Sequence, residues 1–186
     1  MESRNIEIEL RSMFDEATYN RLNDFFAKNA EDLGEDNKDV FFFLIPGKLL
    51  KVVNNISKKT AKIVLKLSRI GHGSDFDETE IAISPIDYNK AVEMFTRLGF
   101  NDIQNTFQKR HNYLYKGVEM ALKYSNTWGY HLELEIVVHN TSEKGRAEQK
   151  IREVADELDV HILSDKELAK FTKKVNADYK KGKYNK

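Results

Sequence analysis

The sequence contains no cysteine, and this absence removes several kinds of chemistry at once. Disulfides, thiolate nucleophiles and cysteine-ligated metals are excluded, so any bound metal must be held by oxygen or imidazole ligands. Proline is also scarce, and no proline-rich or serine-rich stretch divides the 186 residues. A chain of this length builds one substantial core, so we expect a single domain over residues 1–186.

Long apolar runs and net charge are lacking too. The longest apolar run, VFFFLI at residues 40–45, is far shorter than the roughly 20 residues that cross a bilayer. The N-terminal MESRNIEIEL has no apolar signal core, which predicts a cytoplasmic protein with no membrane partner. Basic and acidic residues number 30 each, and they are interleaved, which argues against a nucleic-acid partner.

What the sequence does have is alternation of charged and apolar residues. NIEIELR at residues 5–11 places three charged side chains on one side of a predicted strand and three apolar ones on the other. FDETEIAI and HLELEIVV repeat the Glu-x-Glu spacing. The three pairs are Glu7 and Glu9, Glu78 and Glu80, and Glu133 and Glu135.

The remaining pattern predicts eight mostly antiparallel strands, two intervening helices and two amphipathic helices at about residues 142–182. The first helix is capped by Asp15 and ends near Gly34, and Pro46-Gly47 makes a hairpin turn. The second helix ends at Gly99. Because eight antiparallel strands can close on themselves, we expect an α+β fold with a closed eight-stranded antiparallel β-barrel over about residues 4–139, flanking helices and a C-terminal helical extension.

Two interpretations of the charged strand faces stay open on the pattern alone. A single Glu-x-Glu strand most often faces solvent. In a closed barrel wrapped by helices, the apolar faces can instead pack outward, so that the charged faces line the interior. Carboxylates gathered there must be neutralised by a shifted pKa or by a cation, and oxygen ligands favour Mg2+ or Mn2+. Basic residues on other strands would then hold anionic oxygens, an arrangement that suits phosphoryl transfer.

In order along the chain, these segments resemble the CYTH family, also called triphosphate tunnel metalloenzymes. Glu7-Ile-Glu9-Leu-Arg11 is similar to the family's Glu-x-Glu-x-Lys signature. The segments GKLLKVV, VLKL, DETEIAI, QKRHNYLY and WGYHLELEI resemble its later strands over about residues 4–139. The family includes class IV adenylyl cyclases, thiamine triphosphatases and inorganic tripolyphosphatases.

The resemblance implies an inward charged face, a triphosphate or nucleotide substrate and one or two Mg2+ or Mn2+ ions. The implied metal ligands are Glu7, Glu9, Glu133 and Glu135. The implied catalytic residues, which support the metal or orient water, are Glu78 and Glu80. The implied substrate-binding residues are Arg11, Lys51, Lys66 and Arg110, with Lys123 as a further candidate.

Four positions depart from the family pattern. Arg11 replaces the signature lysine and exchanges a compact ammonium for a bidentate fork. Val53 and Gln108 stand where basic residues are usual, and Lys123 takes the place of a common aspartate. The sequence leaves open whether Lys123 pairs with the nearby glutamates or contacts the substrate.

The leading functional prediction is metal-dependent hydrolysis of a triphosphate, with inorganic tripolyphosphate or a nucleoside or thiamine triphosphate as substrate. The alternative within enzymes is a class IV adenylyl cyclase, since the C-terminal helices could cover a nucleotide. A third alternative is an inactive relative that binds a polyanion without turnover, which the departures at Val53, Gln108 and Lys123 motivate. A homodimer is compatible with the sequence, which does not determine the oligomeric state.

Overall fold

The computed structural model describes residues 6–66 and 78–184, with the backbone alone described at Glu78. The strands are β1 (Ile6–Phe14), β2 (Glu31–Glu35), β3 (Lys38–Ile45), β4 (Lys48–Asn55), β5 (Thr60–Lys66), β6 (Glu78–Ile83), β7 (Ile103–Tyr115), β8 (Val118–Ser125) and β9 (Gly129–Val138). The helices are α1 (Glu16–Asn29), α2 (Tyr88–Arg97), α3 (Lys144–Glu157) and α4 (Asp165–Lys180).

Eight strands form one antiparallel sheet in the order β1-β9-β8-β7-β3-β4-β5-β6, and β2 pairs with β7 beyond the end of β3. The α+β class, the eight predicted strands and the two C-terminal helices are therefore confirmed. β1 and β6 stand at the two ends of this order, and no hydrogen-bonded pairing joins them within residues 6–66 and 78–184.

The predicted end of the first helix is wrong. Asp15 caps α1 as expected, with its Oδ1 accepting from the backbone N–H of Thr18 at 2.8 Å, but the helix ends at Asn29. The chain then turns extended at Ala30 and forms β2, in which the register shifts between Asp32 and Gly34. Gly34 adopts a φ of 87°, so the glycine serves a β-bulge here and not a helix end.

The helices cover the apolar face of the sheet. Under α1 and α3, the largest cluster of buried residues includes Ile8, Phe26, Leu134 and Ile151. A second cluster lies under α2 and includes Phe43. Because strand side chains alternate, the charged residues of β1 and β9 lie on the opposite face, which we call the inner face.

The segment between α3 and α4 leads the chain past the edge of β1. Ile162 forms an isolated bridge with Ser12, and the backbone N–H of Leu163 donates to the carbonyl of Arg11 at 2.8 Å. This pairing covers part of the edge of β1 that does not pair with β9. None of the described helices combines the length and apolar character needed to cross a membrane.

Candidate functional site

The inner face of β1, β9 and β8 is organised in rows of directly opposite residues. Row one, which we call the acid row, contains Glu9, Glu135 and Glu119. Row two contains Arg11, Glu133 and Ala121, and row three contains Met13, His131 and Lys123, with Arg110 of β7 opposite Lys123. Opposite residues on neighbouring strands have Cβ atoms about 5 Å apart, so each row is a contact line.

Three cations surround the carboxylate of Glu133. Lys123 Nζ donates to Oε2 at 2.9 Å, and Arg11 Nε donates to Oε1 at 3.2 Å. Nη1 of Arg110 lies 3.7 Å from Oε2. Burial acts to raise the pKa of Glu133, but the charges of Lys123, Arg11 and Arg110 outweigh it and hold that pKa well below its usual value. Glu133 is therefore a neutralised, buried carboxylate.

The acid row has the opposite balance. Burial, followed by the charges of Glu7, Glu9 and Glu119, raises the pKa of Glu135 to about 7. Burial and then Glu133 raise the pKa of Glu9, although Arg11 opposes them. Carboxylates whose protonation is favoured in this way lack positive charge, and a divalent cation would supply it.

The inner face of β3, β4 and β5 carries lysines. Burial, followed by Lys66, Lys62, Lys123 and Lys38, lowers the pKa of Lys51 to about 7. No ion pair to Lys51 is present among the side chains that the structure describes. Lys51 and Lys123 lie on strands separated by β3 and β7, yet the charge of Lys123 acts on Lys51, which indicates that the sheet curves between these strands. This part of the inner face is therefore rich in positive charge.

Val53 has a structural role in this region. It packs with Val40 and Val64 in a small cluster of buried residues on the inner face, and Phe42 lies against them. Val53 is directly opposite both Val40 and Lys62. The valine that replaces a basic family residue therefore fills an apolar patch beside the lysines.

A buried aspartate links two of the basic side chains. Asp36 Oδ2 lies 2.7 Å from Nζ of Lys38 and 3.3 Å from Nε of Arg110, and its Oδ1 accepts from Nδ2 of Asn55 at 2.6 Å. Burial acts against the charge of Asp36, but Lys38, Asn55 and Arg110 together lower its pKa to about 2. The backbone N–H of Asp36 also donates to the carbonyl of Arg110 at 2.9 Å, which fixes the β2–β3 junction over β7.

His131 is held neutral between the strands. Burial and the neighbouring Lys123 lower its pKa to about 4. Nδ1 lies 3.0 Å from the carbonyl of Gly129, an atom that can only accept, so Nδ1 carries the proton and donates. Trp128 packs against this ring, and Phe171 of α4 packs edge-on against Trp128.

The C-terminal helix reaches inner-face residues of β7. Gln104 Nε2 donates to Oδ1 of Asn176 at 3.1 Å, and the hydroxyl of Tyr179 accepts from the backbone N–H of Asn105 at 2.8 Å. Leu168 and Val175 of α4 are buried.

A metal ion fits the donor chemistry of the acid row. No three metal-ligating side chains already converge on one point within the described residues. The Oε1 atom of Glu9 is nevertheless buried, and Nη2 of Arg11 lies 2.5 Å from it. Carboxylates on directly opposite strand positions can converge by side-chain rotation, and hard divalent cations prefer such oxygen ligands.

The predicted site residues are thus distributed over two regions. Glu7, Glu9, Arg11, Glu133 and Glu135 share the inner face of β1 and β9, and Arg110 and Lys123 lie beside them. Lys51 and Lys66 lie on the inner face of β4 and β5. Glu80 is well exposed and ion-paired with Lys62, and the side chain of Glu78 lies outside the described part of the chain.

Sequence reasoning missed three inner-face groups. Glu119 was overlooked because it stands alone between Val118 and Met120, outside any Glu-x-Glu pair. Its position four residues before Lys123 on a predicted strand was a usable signal, because that spacing puts both side chains on one face. Lys38 and Asp36 lie at the start of a strand, in the loop-like sequence EDNKD, and their partners are remote in sequence.

The comparisons with known proteins agree with this architecture. The family model for the CYTH domain matches residues 5–167. A conserved protein of Pyrococcus furiosus is 25% identical, with a TM-score of 0.66, covering 84% of this chain and 94% of its own. HpAC1 of Hippeastrum, which has a dominant triphosphatase activity, is 16% identical with a TM-score of 0.61, covering 86% and 90%.

A further structural neighbour is a proposed adenylate cyclase of Bacillus halodurans, 16% identical with a TM-score of 0.62, covering 87% of this chain and 94% of its own. No curated protein sequence matches this chain at a significant level. Because the family model spans most of the 186 residues, the chain belongs to the CYTH domain family.

Proposed function

We propose that this protein hydrolyses a triphosphate in a reaction that depends on Mg2+ or Mn2+. The observation that carries the proposal is that one inner face holds both Glu135 and Lys51. Burial and neighbouring carboxylates raise the pKa of Glu135 to about 7, and burial and neighbouring lysines lower the pKa of Lys51 to about 7. A metal-bound triphosphate supplies both missing charges. The dominant triphosphatase activity of the Hippeastrum relative supports the same reaction class.

In this proposal, Glu7, Glu9 and Glu135 hold the cation, which would neutralise charge that develops on the phosphate oxygens. Lys51, Lys66, Arg11 and Arg110 bind and orient the chain of phosphates, because ammonium and guanidinium groups donate charge-assisted hydrogen bonds to their oxygens. Glu80, and Glu78 beside it in sequence, remain candidates for orienting the attacking water. Asp36 positions Arg110 and Lys38 without touching the substrate.

A second candidate is ATP cyclisation. The contacts of α4 with inner-face residues of β7, through Gln104 and Asn176, favour it because they place a helix where a nucleoside could be enclosed. The Bacillus halodurans relative points the same way. Binding without turnover is the third candidate. It is motivated by Lys123, whose ammonium donates to Glu133, a residue that the family resemblance names as a metal ligand.

Product analysis separates the three candidates. We would incubate the wild-type protein with tripolyphosphate, thiamine triphosphate and ATP, each with Mg2+, Mn2+ or a chelator, and measure phosphate, pyrophosphate and cyclic AMP. Metal-dependent phosphate release supports the hydrolase, whereas cyclic AMP with pyrophosphate contradicts it in favour of the cyclase. A tight tripolyphosphate complex with no product from any substrate contradicts both enzymatic candidates.

A further inference from the structure

We propose that the cation binds at the acid row, with Glu119 as an additional metal-binding residue, and that Lys123 withholds Glu133 from the metal. This inference rests on the proposed function, which it deepens by redefining the ligand set. The family pattern names both glutamates of β9 as ligands. The geometry of the inner face treats Glu133 and Glu135 differently.

The first argument concerns the charge around Glu133. Its two oxygens already receive Lys123 at 2.9 Å and Arg11 at 3.2 Å, with Arg110 at 3.7 Å from one of them. The side chain of Lys123 is 7% exposed, so this ammonium is held in place by its surroundings. A divalent cation bound to Glu133 would have to displace these groups or sit among three positive charges, which is unfavourable.

The second argument concerns the row of carboxylates one step away. Glu9 is directly opposite Glu135, and Glu135 is directly opposite Glu119, so three carboxylates occupy adjacent strands in one line. This placement gives Glu135 a carboxylate on both sides, whereas Glu133 has Arg11 on one side and Ala121 on the other.

The charge around Glu9 also differs from the charge around Glu133. Nη2 of Arg11 lies 2.5 Å from Oε1 of Glu9, a buried oxygen, and Nε of the same guanidinium donates to Glu133. One guanidinium is thus shared between two carboxylates, which leaves Glu9 with less positive charge than Glu133 receives. Carboxylate oxygens gathered in one row in this way are suited to coordinate a hard cation.

Lys123 then takes the place of positive charge that a second metal ion would bring to Glu133. The ammonium lies in the row between Arg110 and His131, two positions along β8 from Ala121. A lysine there supplies positive charge to Glu133 without a metal ion, and this predicts a site for one divalent ion per chain.

The test is a measurement of Mn2+ binding in the absence of any phosphate. Binding is measured by calorimetry and by the loss of the electron paramagnetic resonance signal of free Mn2+. We expect one ion per wild-type chain. Glu119→Gln should weaken Mn2+ binding by at least about tenfold, as loss of groups that support a metal site commonly does. Glu119→Asp keeps the charge but shortens the side chain, so it should also weaken binding if the carboxylate contacts the ion.

Glu133 needs a charge-neutral comparison, because Glu133→Gln alone leaves three buried cations without their partner. We therefore use the double variant Lys123→Met/Glu133→Gln, which removes one charge of each sign, and Glu153→Gln on the exposed side of α3 as the control. Both should bind Mn2+ with nearly wild-type affinity.

The outcomes distinguish the inference from the proposed function. If the wild type binds Mn2+ but the double variant does not, or if both Glu119 variants bind like the wild type, the ligand assignment is overturned while metal dependence survives. If the wild type binds no Mn2+, the metal-dependent function itself fails and the ligand assignment fails with it. Two ions per wild-type chain would contradict the role given to Lys123.

Discussion

The two halves of the inner face, one on β1, β9 and β8 and the other on β4 and β5, leave buried charge of opposite sign unbalanced. On β1, β9 and β8, Glu133 is compensated by Lys123 and Arg11, and charge is left unbalanced one row away at Glu135. On β4 and β5, Lys51 has a strongly lowered pKa and faces more lysines. One half therefore requires a cation and the other an anion, and each requirement can be tested separately.

The largest effect on the free energy of unfolding is expected at Glu133, whose charge is compensated by three cations. Glu133→Gln leaves Lys123, Arg11 and Arg110 close together without their shared carboxylate. Breaking a buried ion network in this way costs about 3–5 kcal/mol of unfolding free energy. Urea unfolding monitored by circular dichroism should show this loss.

The control for that experiment is Glu153→Gln, because Glu153 is exposed on α3 and accepts from Gln149 at 2.9 Å. An exposed substitution of this kind should change stability by less than about 0.5 kcal/mol. Equal losses in the two variants would mean that Glu133 is not specially compensated.

Lys51, on the half of the inner face formed by β4 and β5, should make the free energy of unfolding depend on pH. The pKa of Lys51 is lowered from 10.5 to about 7 in the folded protein, so between those values the unfolded chain binds more protons. Stability due to this residue therefore rises with pH from about 7 to about 10, by up to about 3 kcal/mol once screening and relaxation are allowed for. Lys51→Met should remove this rise, so its stability relative to the wild type is greatest near pH 6.

Urea unfolding at pH 6, 7.5 and 9 measures that difference, with Lys28→Met as the control on the exposed surface of α1. A constant difference between Lys51→Met and the wild type across this range would show that Lys51 is not held in an unfavourable positive environment.

Anion binding should depend on the same lysine. A charge-assisted hydrogen bond from Lys51 to a phosphate oxygen contributes about 1.5–3 kcal/mol, so Lys51→Met should weaken tripolyphosphate binding by about tenfold or more. Calorimetry at pH 6 without metal, where Lys51 is protonated, isolates this contribution. Wild-type affinity in Lys51→Met would remove Lys51 from the anion site.

The smallest effect is expected at the exposed edge of the lysine half. Lys62 and Glu80 form an ion pair whose side chains are 40% and 42% exposed. Solvent-exposed pairs contribute about 0–1 kcal/mol, so Glu80→Gln should leave the unfolding free energy nearly unchanged. Much reduced turnover with normal stability in Glu80→Gln would support the predicted role of Glu80 in orienting water. A large loss of unfolding free energy would contradict the small contribution expected from this exposed pair.

The sequence was sufficient to predict which residues share a face, because a strand has a period of two and the charged segments alternate strictly. It could not predict which residues on different strands lie opposite each other. Register decides that Lys123 reaches Glu133 and that Glu119 meets Glu135, and register depends on turns and packing across the whole sheet. The pairing of β8 with β9 therefore explains why Lys123 contacts Glu133, and a role of Lys123 toward the substrate stays a prediction.

The short strand β2 was also beyond sequence reasoning. Its residues EDLGE are largely charged and exposed, with no apolar alternation, and its partner β7 lies about 80 residues away in the chain. The hydrogen bond between Nε2 of His111 and Oδ1 of Asp32, at 2.6 Å, is one of the contacts between residues remote in sequence that hold β2 against β7. Local propensity carries no information on such contacts.

The most direct test of the account is phosphate release from tripolyphosphate by the wild type and by Glu9→Gln, each with Mn2+ and with a chelator. Glu9 lies in the acid row and contacts the network around Glu133 only through Arg11. The exchange of one carboxylate oxygen for an amide keeps the shape of the side chain and leaves Glu133 in place beside Arg11, so it should preserve the fold. We predict Mn2+-dependent release by the wild type and a loss of about a hundredfold or more in Glu9→Gln, since metal ions contribute several kcal/mol to such transition states. Equal phosphate release by the two proteins, or release by the wild type that persists in the chelator, would contradict the account.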